Sequence, residues 1–547
     1  MEDLFTKHKT LINKAVEAIH QRIFYTPYPE HHKTYPQEQH QAANEWFEKV
    51  KGQKFLLEGV DALAWVGEEV SPFTQKALGI EYPMVPTKNL IDQAKQAKRD
   101  WKKISVDTRA GFLAEVLDQM KAQYFHLAVA TEHTAGQSFM MAFQASGPHS
   151  ADRALEATAL AWQELKRFPA STQWVKPMGK MAIELDKEFR PIGRGISLSI
   201  GCSTFPVWNS IPGMFANIMA GNPVIAKPHP GSVLPMAVLI QLIRKVAVSA
   251  GANPDIIQLA VDRSHALRTE ELMNQEAIKL IDYTGSSSFG ERVEKSGKIT
   301  FTEKSGVNSV LLSSVKDLDA VLQNLAFSAI LYSGQMCTSP QNFFIPEDGI
   351  KEGEKLIGFE EFTQRFKQAL EGAVNNPKIG PGTLAAIQSE ATLDRVENQL
   401  GSAIELGDEV AQMVQERRFA VPTINVLKAD DEAYQEELFG PIVNLIQVKN
   451  SEEGLHTIRD LIENKGCITT AVYTQDEAFK TLVKDELEEV GAGVSFNLTG
   501  YIWVNQASAF SDFHVSGGNP AGNASFVNPE FVVKRFFWVG HRELKKS

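Results

Sequence analysis

Residues Gly195–Lys227 read GISLSIGCSTFPVWNSIPGMFANIMAGNPVIAK. A short apolar strand, Gly195 to Ile200, is followed by a loop holding Pro206 and Pro212. An apolar helix then runs to Ala220, and Gly221-Asn222 turn the chain into a second strand ending at Lys227. The same alternation continues downstream. Residues 234–249 carry apolar positions at helical spacing up to Gly251, Ile256 to Ala260 is a third strand, and a short helix precedes Ile278 to Ile281. Gly285 opens the next helix. Short strands joined by helical crossovers predict an α/β fold with a parallel, doubly wound sheet.

A second α/β unit is expected after Glu303, with strands at 309–312, 342–345, 420–424, 443–447 and 469–473. Upstream, Val175 to Pro191 reads as an antiparallel hairpin. Residues 89–168 are helical, with Ile91, Ala94, Ala97 and Trp101 at three- and four-residue steps. Residues 1–90 read as amphipathic helices broken at Tyr25-Thr26-Pro27-Tyr28-Pro29 and at Gly79 to Pro83, and the tail from about 492 is rich in Gly, Asn, Ser and Phe.

The chain has 547 residues, too many for one core, so two or three domains are expected. Its net charge is −12 and no basic stripe is long enough to follow a phosphate backbone, which argues against nucleic acid as a partner. Cys202, Cys337 and Cys467 are odd in number and widely spaced, fitting a reducing cytoplasm rather than a disulfide framework. No Cys/His cluster has zinc spacing, so no metal is assigned. The start, Met1 to Lys7, lacks the apolar core of a secretion signal. The most apolar region, Gly195 to Ala226, is broken by prolines and asparagines, so no membrane span is expected.

Four segments carry candidate chemistry. Cys337 stands in Tyr332-Ser333-Gly334-Gln335-Met336-Cys337-Thr338-Ser339-Pro340, after an apolar helical run. Taken alone it is either an inert core thiol or a nucleophile. Glu303 ends a strand beside Lys304-Ser305-Gly306, as a general base facing a crevice or as a solvated acid. No GxGxxG follows a strand. Two other pieces are placed to hold a nucleotide: Lys227-Pro228-His229-Pro230 at a strand's carboxyl end, and Thr284-Gly285-Ser286-Ser287-Ser288, where backbone N–H groups at a helix start suit a pyrophosphate. Such a Gly/Ser turn is otherwise only a cap.

Together, from about residue 90 onward, these segments resemble the aldehyde dehydrogenase superfamily. Gly334-Gln335-Met336-Cys337 is similar to its nucleophile segment, and Glu303, 34 residues before Cys337, stands in the place of its general base. Thr204-Phe205-Pro206 resembles its Asn-Phe-Pro loop, Gly221-Asn222-Pro223 to Lys227-Pro228 its cofactor segment, and Glu436-Glu437-Leu438-Phe439-Gly440-Pro441 its Glu-Glu-Ile-Phe-Gly-Pro segment. The resemblance implies a Cys337 thiolate of lowered pKa attacking an aldehyde, hydride transfer to nicotinamide, and Glu303-assisted hydrolysis of the thioester. It implies Lys227 at the adenine ribose, Gly285 and Ser286 at the pyrophosphate, and Glu437 and Phe439 at the nicotinamide half.

Thr204 replaces the family's oxyanion-hole asparagine, so the donor is Thr204, Asn209 or a water. Pro230 replaces the acid of NAD-preferring members. With His229 and Lys227 nearby, NADP is expected, NAD being the alternative. Ser516-Gly517-Gly518-Asn519-Pro520 replaces the usual Pro-Phe-Gly-Gly. Ile200 to Ser210 and the amino-terminal extension resemble the phenylacetate-degradation (PaaN-type) branch, which implies a ring-opened, coenzyme-A-linked semialdehyde as substrate. A coenzyme-A-acylating dehydrogenase and a non-catalytic scaffold are the rivals. Cys202 and Cys467 are read as structural.

The expected map is a helical extension (1–90), a cofactor domain (91–303, interrupted by a 175–192 oligomerisation hairpin), a nucleophile domain (304–495) and an arm with tail (496–547) that pairs with another subunit in a dimer or tetramer.

Overall fold

A computed structural model describes residues 2–62, 64–378, 380–399, 401–416, 418–500, 502–504, 519–522 and 528–545. Ser516 to Gly518 lie outside them. The first sheet is all parallel, in the order Ile257–Leu259, Val224–Lys227, Ile196–Ile200, Ile278–Thr284, Ile299–Glu303. Sequence order reverses between the strands Ile196–Ile200 and Ile278–Thr284. That is the switch point outside which open sheets bind ligands, and the strand ends there carry Thr204, Gly285 and Glu303.

The helix between the first two strands, Ile211–Ala220, is buried on every side. It stops at Gly221, whose left-handed backbone (φ +92°) stacks on the Arg109 guanidinium, while Arg109 donates to the Met219 carbonyl at 3.1 Å. Asn222 then accepts from the Gly195 N–H (3.1 Å) and donates to the Arg535 carbonyl (2.9 Å), tying the sheet's entry to the distant tail.

The second sheet has seven strands, in the order Ser402–Ala403, Thr423–Lys428, Ile442–Val448, Asn342–Pro346, Ser309–Leu312, Thr470–Tyr473, Ser495–Phe496, and only Ser402–Ala403 runs antiparallel. The strand expected at 420–424 forms later, as Thr423–Lys428, because Pro422 cannot donate to the ladder. A third sheet pairs Ser171–Met178 with Met181–Gly193, and the latter with the tail strand Phe536–Leu544. The Ser171–Met178 strand is exposed throughout.

The amino-terminal extension is helical only in part. Glu2–Gln21 packs on Val106–Met120, where Lys7 and His8 both reach Glu115 at 2.7 Å, and Glu38–Val50 packs on Tyr124–Ala135. From 51 to 86 the chain forms loops and one short strand pair, Ala64–Val66 with Tyr82–Met84. Gly52, Gly59, Gly67, Pro72, Gly79 and Pro83 interrupt any helix there. Among the described residues no helix is long and apolar enough to cross a membrane.

Candidate active site

The helix Leu318–Ile330 delivers the chain into one tight turn, Leu331–Gly334, in which Tyr332 and Ser333 both adopt left-handed backbone (φ 54° and 51°). Such strain persists only when its surroundings fix it. Here the Tyr332 hydroxyl donates to the Ala135 carbonyl (2.5 Å), and the Ser333 hydroxyl both donates to the Ala385 carbonyl and accepts its N–H (2.9 Å each). Gly334 (φ +63°) lies so close to Gly440 that a Cβ on it would stand 2.1 Å from the Gly440 oxygen. Cys337 follows, half-buried. Asn308 fastens it: its amide donates to the Cys337 and Ser339 carbonyls (2.7 and 2.9 Å) and accepts the Ile468 and Thr469 N–H groups (2.9 Å each).

Glu303 closes the strand Ile299–Glu303 and is only 6% exposed. Its carboxylate accepts the Cys337 thiol and, at 3.0 Å, the Asn209 amide. Its carbonyl accepts the Gly285 N–H at 3.1 Å, which ties the Gly/Ser turn to the end of this strand. From the tail, Gly522 pairs with Glu303 across an antiparallel bridge, and Asn519 bonds the Cys467 carbonyl at 2.7 Å. No signal in the 516–520 motif had pointed to that contact.

Cys337 does not have the lowered pKa expected of it. Burial pushes the thiol well above its ordinary value, and Glu303, Cys202 and Glu437 add to the shift. A thiol buried beside a carboxylate is disfavoured as a thiolate.

Cys202 is likewise nearer the chemistry than its structural reading allowed. Burial raises its thiol to about 11, the Phe205 N–H and the Thr204 hydroxyl and N–H oppose the rise, and Glu303 reinforces it. The Thr204 hydroxyl therefore sits on the Cys202 sulfur, while its carbonyl accepts Gln137 (2.7 Å). Asn209, the other expected oxyanion donor, is engaged with Glu303. Cys467 is buried against Thr470, Sγ to Oγ1 3.2 Å.

Glu437 lies beside Cys337 and Glu303. Burial raises its carboxyl to about 7, the Ser305 hydroxyl and Gly306 N–H oppose that, and Glu303 adds to it. Gln341 holds the segment, donating to the Glu436 carbonyl (2.7 Å) and accepting the Leu438 N–H (2.8 Å). Arg395 fixes Phe439 through its carbonyl (2.8 Å). Asn308 and Gln341 were missed in the sequence, because an amide that staples two loops has no local spacing to betray it, and Asn209 was expected there as an oxyanion donor, not as a partner of Glu303.

At the carboxyl end of the strand Val224–Lys227, Lys227 is buried and ion-paired with Asp262 at 2.9 Å. Burial lowers its pKa, and Asp262 and Glu68 oppose that. His229 is exposed, its Nδ1 accepting the Gly231 N–H at 3.1 Å. Gly285 is obligatory, since a Cβ would stand 2.6 Å from the Tyr283 hydroxyl, and Ser286 is exposed ahead of the helix Ser287–Glu294.

A thiol and a carboxylate, carried by segments of the two α/β sheets, thus meet beside a Gly/Ser turn. The sequence model described as "Aldehyde dehydrogenase family" matches residues 68–524. The chain belongs to the aldehyde dehydrogenase family. Among solved structures it is similar to a crystal structure of NAD-dependent aldehyde dehydrogenase from Burkholderia multivorans, with 35% identity and a TM-score of 0.94 over 100% of this chain and 99% of that one. A Thermus 1-pyrroline-5-carboxylate dehydrogenase with bound NAD shares the fold at 17% identity (TM-score 0.76, covering 96% and 99%). Succinate-semialdehyde dehydrogenase [NADP(+)] of Deinococcus radiodurans is 24% identical over 476 residues, 83% of this chain and 90% of the relative. This aldehyde dehydrogenase is an enzyme of the NAD(P)-dependent class.

The residues of the site fit a nucleotide. The Gly285 approach leaves no room for a side chain, the Asp262 Oδ1 is buried without a hydrogen-bond partner, and Glu437 and Phe439 face the nucleophile loop.

Proposed function

We propose that this aldehyde dehydrogenase is hydrolytic, turning an aldehyde into a carboxylic acid through Cys337 and Glu303. The observation that carries this reading is the contact of the Cys337 thiol with the Glu303 carboxylate. Glu303 takes the thiol proton as sulfur adds to the aldehyde carbon, and the new oxyanion is held by the Cys337 N–H and by a Thr204 hydroxyl that leaves Cys202. Bound nicotinamide supplies the hydride acceptor. Glu303, relieved of its proton, then accepts one from water as the water oxygen attacks the thioester carbon; the C–S bond breaks and the acid departs. A resident base at the sulfur favours water over coenzyme A as the acceptor.

Lys227, His229, Gly285 and Ser286 are read as the nucleotide's outer contacts, and Glu437 and Phe439 as those of its nicotinamide half. Pro230 favours NADP. Asp262 and Glu68 beside Lys227 favour NAD, because carboxylates near the ribose repel a 2′-phosphate. With two acids against one neutral substitution, NAD is the stronger reading.

For the substrate, the 200–210 segment supports a ring-opened, coenzyme-A-linked semialdehyde of aromatic catabolism. The relatives' names support the wider class of semialdehydes. The exposed strand Ser171–Met178, with Met181 75% exposed at the hairpin tip, supports an oligomer built on the arm. The three free cysteines support a reducing, cytoplasmic setting. The division at about 90, 303 and 495 stands as the domain reading.

The test follows nucleotide reduction with a panel of ring-derived and short semialdehydes, with NAD or NADP, with and without coenzyme A. Acid formation without coenzyme A is expected, and Cys337→Ala should abolish it while leaving nucleotide binding intact. Strict dependence on coenzyme A would overturn the hydrolytic reading.

A further inference from the structure

Glu303 is buried, and burial opposes its charge. Cys337 faces it from the nucleophile loop, Cys202 from the loop after Ile196–Ile200 and Glu437 from the 436–441 segment, and none of the three offers a positive charge. Across the adjoining cavity Asp282 is already matched by Arg535, and the neighbouring Lys304 by Glu294. A carboxylate so placed gains a proton unless something positive stands near it, and a protonated Glu303 cannot accept one from water.

Arg153 supplies that charge. It projects from the helix Pro148–Leu165 and lines one cavity with Asn209, Ser210, Asp282, Thr284 and Glu303. Its guanidinium lies 4.0 Å from the centre of the Trp208 ring, in the same loop that carries Asn209. Glu156, on its own helix, stands beside it, and its field reaches Glu303 and Cys337 as well. Trp208 thus fixes the height of the guanidinium over the loop, so that one loop presents Glu303 with an amide donor and, through the ring, with a cation.

We propose that Arg153 is a positioning residue for the general base: pinned on Trp208, it keeps Glu303 ionised and turned toward the polar cavity from which hydrolytic water arrives. The inference rests on the hydrolytic reading above and adds a residue outside every matched motif. Arg153 touches neither substrate nor nucleotide in this role.

The test uses the full-length enzyme and 4-nitrophenyl acetate without nucleotide, an ester that acylates Cys337 directly and leaves deacylation to Glu303. Turnover is followed from about pH 5 to 9 for wild type, Arg153→Met and Arg153→Lys. Removing the cation makes Glu303 harder to ionise. The acid limb of the Met variant should therefore move up by about one pH unit or more, with activity recovering at high pH, while the Lys variant stays within about half a unit of wild type. A Met variant whose plateau falls with the limb unmoved would show a merely structural role and overturn the proposal, as would a Lys variant displaced as far as Met. Loss of both ester and aldehyde turnover in the wild type would instead sink the hydrolytic reading, and the inference with it. Circular dichroism and NADH binding confirm that each variant is folded.

Discussion

Arg535→Met should loosen the tail from the cofactor sheet. Arg535 is fully buried and meets Asp282 through two parallel bonds, Nη1 to Oδ2 at 2.8 Å and Nη2 to Oδ1 at 2.6 Å. Its guanidinium lies 3.7 Å from the Phe301 ring centre and 4.7 Å from that of Phe531. Methionine retains the packing between the rings but leaves Asp282 with only Asn217 (2.7 Å) and Ser197 (3.3 Å) as donors. Breaking a buried pair from one side costs about 3–5 kcal/mol. At roughly 2–4 °C per kcal/mol in larger domains, the unfolding midpoint should fall by about 6–20 °C. A chain this long is best compared by apparent midpoints at one scan rate. Asp282→Asn added to Arg535→Met removes the stranded charge and should recover at least about 1 kcal/mol of the loss, a coupling expected for groups in contact. A midpoint within about 2 °C of wild type, or a double variant as damaged as the sum of the single ones, would refute the reasoning.

Three further outcomes follow from the site. Glu303→Gln should give a burst of NADH near one per site and then a steady rate lowered about 10²–10⁴-fold, and a stopped-flow trace without the burst would contradict the role of the base in deacylation. Asn209→Ala removes a hydrogen bond to a charged group, about 1.5–3 kcal/mol, so deacylation should slow roughly 10–150-fold at unchanged nucleotide affinity; equal losses in burst and steady state would assign Asn209 to the first step instead. Glu437, raised to about 7 by burial, is mostly ionised only above that pH. As an acceptor for ribose hydroxyls it should bind nucleotide more tightly as pH rises through about 7, and a calorimetric affinity that is flat or falls there would remove it from the contact.

The doubly wound sheet was legible because short strands rich in isoleucine, leucine and valine alternate with helical spacing, and because Gly221-Asn222, Gly251 and Gly285 mark turns between them. The reach of the tail was not. Phe536–Leu544 pairs with a hairpin some 350 residues earlier, and Gly522 meets Glu303 and Asn519 meets Cys467 through contacts set by the closed fold alone. Cys337, Glu303 and Glu437 stood out through their segments, whereas Asn209, Asn308 and Gln341 act across gaps of 29 to 97 residues that no local spacing encodes.

The electrostatics were the least legible part, since a pKa belongs to a surrounding and not to a residue. The segment singled out Cys337, whereas the upward push on its thiol comes from burial and from Glu303, groups that only the closed fold brings together. A neutral resting thiol reacts slowly with electrophiles, and a positively charged nicotinamide brought beside it would favour the thiolate. With Cys337 and Glu303 in the proposed roles, nucleotide binding before aldehyde is the expected order, and product-inhibition patterns showing aldehyde-first addition would refute it.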